Sequence, residues 1–85
     1  MISGGQIRAA RALLGMSATQ LSEEAGVSWS TIQRFESQNQ IPSSRAGTLE
    51  KLQAALEAHG IEFFGDPVTA PGVQLTRKGA RTKRR

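Results

Sequence analysis

The sequence predicts a mostly α fold: a four-helix bundle, then a short C-terminal β-hairpin and a basic tail. Three observations point there. Apolar residues recur at helical spacing in four separate stretches up to Leu56. Two S-x-x-Q patterns, Ser3 with Gln6 and Ser17 with Gln20, have the form of capping boxes that open helices. After Gly60 the helical period stops, and two short apolar runs follow, separated by a segment containing Pro67 and Pro71.

The first helix is expected from about Gly4 to Leu14. Ile7, Ala10 and Leu14 form its buried stripe, and Gly15 suits the left-handed residue that closes it. The second opens on Ser17 and ends near Ala25, with Leu21 and Ala25 facing the core. Gly26 is free to take positive φ. Val27 is an anchor, and Ser28 is a good N-cap for a third helix from about Trp29 to Ser37. Residues 38–43 read as a loop, because Pro42 cannot lie within a helix. A fourth helix is expected to start near Ser44, to carry Leu49, Leu52 and Leu56 on one face, and to end at Gly60. Ile61 to Phe64 and Val73 to Leu75 read as strands. The chain thus divides into residues 1–60, a strand pair at 61–75 and a disordered basic tail at 76–85.

Composition narrows the function. The chain has 85 residues, one domain at most. It has no cysteine, so disulfides and thiolate metal sites are excluded, and a single histidine cannot build a zinc site. There is no apolar run long enough to span a membrane, and no apolar segment of a signal peptide follows the first residues. A cytoplasmic, nucleoid-associated protein is the expectation. Residues 1–60 carry five basic and five acidic side chains, whereas residues 76–85 carry six basic ones and no acid. A block of this kind attracts polyanions. No catalytic constellation is present, since Ser17, Ser28 and Ser43 are explained as caps and the acids are scattered. Gly4-Gly5 follows no strand and is no phosphate loop. Neither an enzyme nor a cofactor is expected.

Residues 18–37 carry the function. Two short helices meet at a turn around Gly26, with Leu21, Val27, Ile32 and Phe35 buried and Ser22 small at the close approach. That layout places a helix-turn-helix within the four-helix bundle, its second helix shaped to enter the major groove of DNA. On a wheel of about 3.6 residues per turn, the side opposite Ile32 and Phe35 is Ser30, Gln33, Arg34 and Ser37. It has no apolar residue and no acid. Gln pairs with adenine and Arg with guanine, so Ser30, Gln33 and Arg34 are the base-reading candidates. Trp29 lies on the flank and either meets the DNA wall or a thymine methyl, or packs on the second helix. Ser17, Ser28, Thr31, Ser37, Asn39 and Ser43 are the phosphate candidates, as helix N-termini and short polar side chains suit phosphate oxygens.

From Gln6 to Leu56 the chain resembles the Xre/Cro-type helix-turn-helix domain of phage repressors. The residues that carry the likeness are Arg11, Leu14-Gly15-Met16-Ser17, Leu21, Gly26-Val27-Ser28, Ile32, Glu36, Pro42-Ser43 and Thr48-Leu49-Glu50-Lys51-Leu52. The resemblance implies a small helical bundle that binds double-stranded operator DNA as a dimer and represses. It also implies a structural ion pair between Arg11 and Glu36. Two departures stand out. Where the family usually has glycine two residues after this glutamate, the chain has Gln38, and Asn39 is expected to take over the left-handed turn. In place of a fifth helix the chain has Gly60-Ile61-Glu62-Phe63-Phe64 and Pro71-Gly72-Val73-Gln74-Leu75, an ending similar to that of a subset of small bacterial regulators.

A homodimer is expected through the strand pair. The apolar residues not used by the helices are Ile61, Phe63, Phe64, Val73 and Leu75, and an isolated strand pair exposes pairing edges. The alternative is a hairpin folded back on the fourth helix of a monomer. His59, near the end of that helix, is expected to interact with the helix C-terminus. Other functions from this sequence are an antitoxin that uses the same DNA-binding domain and binds a toxin partner, and an RNA-binding protein that uses the tail. The lack of exposed stacking aromatics, Phe63 or Phe64 aside, argues against RNA.

Overall fold

The structure, a computed structural model, describes residues 1–45 and 47–76. The basic cluster expected in the tail lies outside the described residues. Helix α1 (Gly4–Leu14) opens on a complete capping box. Ser3 Oγ accepts from Gln6 N at 3.2 Å, and Gln6 Oε1 accepts from Ser3 N at 3.1 Å. Helix α2 (Ala18–Ala25) has only half of one. Ser17 Oγ accepts from Gln20 N, but the Gln20 amide turns along the helix to Glu24. Helix α3 (Trp29–Glu36) opens on Ser28, whose hydroxyl accepts from Thr31 N. Gly15 and Gly26 close α1 and α2 in the left-handed conformation.

Helix α4 (Thr48–Glu57) begins four residues later than expected from Ser44. Ser44 does not cap it, because its hydroxyl donates to Arg45 O. The chain instead turns at Arg45, whose carbonyl accepts from Thr48 N, and enters the helix through Gly47 at φ +89°. No side chain caps this helix. The α3–α4 connection is therefore long, and it also differs at Asn39. No non-glycine residue among those described has positive φ, so Asn39 does not supply a left-handed turn.

Strands β1 (Ile61–Phe64) and β2 (Gly72–Leu75) pair antiparallel, with Ile61 opposite Leu75 and Phe64 opposite Gly72. Thr76 N donates to Gly60 O at 2.8 Å and extends the ladder by one bond. Asp66 orders the connecting loop by accepting from Val68 N and Thr69 N, and these backbone bonds, that from Thr69 first, hold its carboxyl below the usual range.

One core joins all six elements. Ile7, Leu21, Ile32, Leu52 and Leu56 have no exposed surface, and Phe35 sits among them at 1%. Burying side chains of this size contributes about 1.5–3 kcal/mol each. Ile2 and Ile61, at 1% and 2% exposure, belong to the same core. The hairpin packs on α1 through β2 and on α4 through β1. Ile61, expected at a dimer contact, is thus part of the chain's own core. An isoleucine directly after Gly60 has the end of α4 beside it and is withdrawn from solvent there. Phe63, Val73 and Leu75 pack partly against the same core, and Phe64 stays 53% exposed.

Candidate nucleic-acid interface

The turn between α2 and α3 is set by one carbonyl. Ser22 O accepts from both Gly26 N, at 3.0 Å, and Val27 N, at 3.3 Å. Gly26 stands at φ +70°, a conformation in which a Cβ is strained. Val27 is buried after it, and Ser28 starts α3. The chain reverses in three residues, and this leaves one side of α3 open.

Ile32, Phe35 and Glu36 are the buried residues of α3, while Trp29, Ser30, Gln33 and Arg34 are all exposed. Trp29 is 53% exposed, so its ring is not absorbed by α2. Arg34 holds its guanidinium carbon 5.2 Å from the centroid of the Phe35 ring, within cation–π range. The contact restrains a long side chain that otherwise loses rotamer freedom on binding. Together these side chains offer one amide, one guanidinium, one hydroxyl and an aromatic edge on a convex helix surface.

The flanking polar residues differ in what they have left to offer. Ser17, Ser28, Asn39 and Ser43 are exposed, and Thr31 is half-buried. The Ser28 hydroxyl lies 2.8 Å from Thr31 Oγ1. The Ser37 hydroxyl donates to Arg34 O at 2.7 Å, so its single proton is already engaged and must be released before it can serve a phosphate. Asn39 accepts on Oδ1 from Arg8 Nη2 at 2.6 Å, which leaves the amide nitrogen as its donor.

Arg11 and Glu36 anchor the recognition helix from behind. Nε and Nη2 of Arg11 donate to Oε2 and Oε1 of Glu36, each at 2.7 Å, and Nη1 donates to Met16 O at 2.9 Å. The hydrogen bonds from Arg11 to Glu36 raise the guanidinium above its ordinary value despite partial burial. The pair joins α1 to α3, and its carboxylate is 7% exposed.

Several contacts escape sequence reading. Gly4 lies so close to α3 that a Cβ would stand 2.1 Å from Phe35 O and 2.2 Å from Gln38 O. Gln6 is 2% exposed, and its amide donates to Gly72 O at 3.0 Å and to Phe64 O at 3.4 Å, stitching α1 to the hairpin. The capping-box spacing exposed only the local half of Gln6's role. His59 does not serve the C-terminus of α4. The helix ends at Glu57, and the ring Nε2 instead meets Glu24 Oε1 on α2 at 2.5 Å. Among the described residues, no group of three or more His, Cys, Asp or Glu could hold a metal ion. No helix among them is long and apolar enough to cross a membrane.

A tight turn, a buried anchor pair and an open polar helix face define a helix-turn-helix transcription regulator, a protein whose partner is DNA. Over residues 7–63 the chain matches the family model described as Helix-turn-helix, and it belongs to this Xre/Cro-like family. No curated protein matches the chain at a significant level.

Proposed function

We propose that the protein is a repressor of its own or a neighbouring promoter that binds a palindromic operator as a homodimer. The observation that carries this reading is the open face of α3, where Ser30, Gln33 and Arg34 are exposed opposite the buried Ile32 and Phe35. Gln33 and Arg34 match adenine and guanine edges in the major groove, with Ser30 beside them and Trp29 on the flank. In this reading Ser17, Ser28, Thr31, Asn39 and Ser43 serve the phosphates, with Ser37 joining when its hydroxyl swings from Arg34 O. One such helix reads only a few base pairs. Two, about 34 Å apart, read successive grooves on one side of the duplex.

The division of labour follows the chain. Residues 1–60 bind DNA, the hairpin at 61–75 joins two copies, and the six basic side chains of 76–85 add non-specific attraction at the nucleoid. Ile61 supports the hairpin from within the core. Phe64 and Val68, the half-buried Phe63, Val73 and Leu75, and the outer edges of the two-stranded sheet are what it offers a partner copy.

Selection of bound duplexes from a random pool, at stated salt, tests the reading. Two inverted half-sites one helical turn apart are expected. Arg34→Ala is expected to relax one symmetric pair of positions and to cost about 1–3 kcal/mol on the selected site. A pool without consensus, or an Arg34→Ala preference identical to wild type in a folded protein, contradicts it. A reporter placed behind the selected site, silenced by the protein, separates repression from activation.

A further inference from the structure

Helix α3 ends differently from its two predecessors. α1 and α2 close on left-handed glycines whose N–H groups return to helix carbonyls. α3 closes on Ser37 in right-handed geometry, and the family's glycine position holds Gln38. The carbonyls at a helix C-terminus need donors and carry the negative end of the helix dipole. In this chain Ser37 N and Gln38 N return to Arg34 O and Phe35 O, and a cation from another helix supplies the last helix carbonyl, Glu36 O. Arg8, on α1, sends Nη1 to Glu36 O and, at 3.4 Å, to Gln38 O, while Nη2 reaches Asn39 Oδ1 at 2.6 Å. Gly4 N donates to Gln40 O at 3.0 Å just beyond. The loop after the recognition helix is thus clamped to α1 from Glu36 to Gln40.

We propose that Arg8 is a positioning residue for DNA recognition, which fixes the loop after α3 and turns the Asn39 amide so that its nitrogen faces the DNA backbone. This rests on the reading of Asn39 as a phosphate contact. An asparagine amide has an acceptor end and a donor end. A phosphate accepts only, so the side chain is useful in one of two orientations. Arg8 has donors only, and it therefore selects the orientation in which Oδ1 points to α1 and Nδ2 points away. The rigid fork reaches a helix carbonyl and the amide together, which the single ammonium of lysine does not reproduce. Nη1 and Nη2 of Arg8 both donate to the protein's own acceptors, and the residue acts through Asn39 rather than as a phosphate ligand itself.

The test is a double-mutant cycle on the full chain, read by affinity for a mixed-sequence duplex, because phosphate contacts do not depend on base sequence. Asn39→Ala and Arg8→Ala are each expected to weaken binding by about tenfold, as for a hydrogen bond to a charged group. The double variant is expected to be no weaker than the worse single one, and Arg8→Lys as weak as Arg8→Ala. The slope of affinity against salt is expected to stay at the wild-type value in all of them. In the free protein, the Asn39 side-chain amide protons are expected to show a single ordered orientation that is lost in both Arg8 variants. Asn39→Asp keeps an acceptor for Arg8 but has no donor, so it is expected to bind more weakly than Asn39→Ala while retaining the wild-type amide spectrum of the loop. If Asn39→Ala binds as wild type, the phosphate reading and the clamp both fail. If Asn39→Ala weakens binding and folded Arg8→Ala and Arg8→Lys do not, the clamp alone fails. If Arg8→Ala adds in full to Asn39→Ala and flattens the salt slope by about 0.9, Arg8 is itself a phosphate ligand and the proposal is overturned.

Discussion

Arg11 grips both carboxylate oxygens of Glu36, each at 2.7 Å, and so fastens the last residue of α3 to the last turn of α1. The third contact, Nη1 to Met16 O, leaves the guanidinium well satisfied. The two partners differ in exposure, 21% for the Arg11 side chain and 7% for that of Glu36. Removal of the arginine is therefore the more damaging change, as it leaves a buried carboxylate alone. Arg11→Met is expected to cost about 3 kcal/mol, the lower end for a broken buried pair because Arg11 retains some solvent. Arg11→Met with Glu36→Leu is expected to be more stable than Arg11→Met alone. Urea denaturation measures both, and a single-variant loss below about 0.5 kcal/mol contradicts the role.

Gly4 is a contact point between helices. An added methyl meets two carbonyl oxygens of the main chain, Phe35 O and Gln38 O, and neither can rotate away. Gly4→Ala is expected to destabilise by about 1–3 kcal/mol, as other overpacked sites do, and to weaken DNA binding by displacing the end of α3. Gly5 is the control. Its added Cβ meets Asn39 Oδ1 at 3.3 Å, a side-chain atom that needs to give by only a few tenths of an ångström. Gly5→Ala is expected to stay within about 1 kcal/mol of wild type, since the helix propensity of alanine offsets the contact. Equal thermal midpoints for the two variants contradict this assignment.

Glu24 and His59 couple α2 to the end of α4. The hydrogen bond from His59 is the main cause that holds the Glu24 carboxyl below the usual range, with Gln20 and the charge of His59 assisting. A carboxyl lowered by folding contributes stability above its unfolded value, and the contribution is lost as pH falls through the lowered native value. The contact is exposed, so the effect on overall stability is small. Its direct signature is titration of the Glu24 carboxyl by NMR. His59→Ala is expected to move the midpoint upward toward that of a free glutamate, and an unmoved midpoint contradicts the contact.

The dimer is best tested by a point change. Truncation after Gly60 removes Ile61 from the core and the Gln6 acceptors from the hairpin, so it disturbs the fold as well as any interface. Phe64 is 53% exposed and lies over Gly72, where an added Cβ would stand 2.1 Å from its ring. Phe64→Glu is expected to leave the thermal midpoint nearly unchanged, to give a monomer in sedimentation at micromolar concentration, and to weaken binding to paired half-sites far more than to one. A monomeric wild type contradicts the homodimer, and a dimeric Phe64→Glu places the contact elsewhere.

Much of the fold is legible because its signals are local. Ser3 with Gln6, Ser28 before Trp29, and Gly15 and Gly26 act within one turn of their own positions. The period of Ile32 and Phe35 marks the buried side of α3 and, by opposition, the open one. The start of α4 was less legible, since Ser44 looks like a cap but gives its hydroxyl to Arg45 O. Asn39 was likewise tolerant of a left-handed turn that the chain does not use.

The sequence by itself determined the order of the elements, the helix-turn-helix at Gly26 and the side chains that α3 presents, because helical period and capping act over a few residues. Tertiary structure decided the rest. Gln6 finds Gly72 across 66 positions, Arg8 finds Asn39 across 31, and Glu24 finds His59 across 35. Ile61, equally apolar whether in a core or at an interface, is assigned to the core only by the packing of the hairpin against α1 and α4. Spacing along a chain shows which residues share a face. It does not show which distant donor will meet an unpaired acceptor, because that depends on how the faces are brought together.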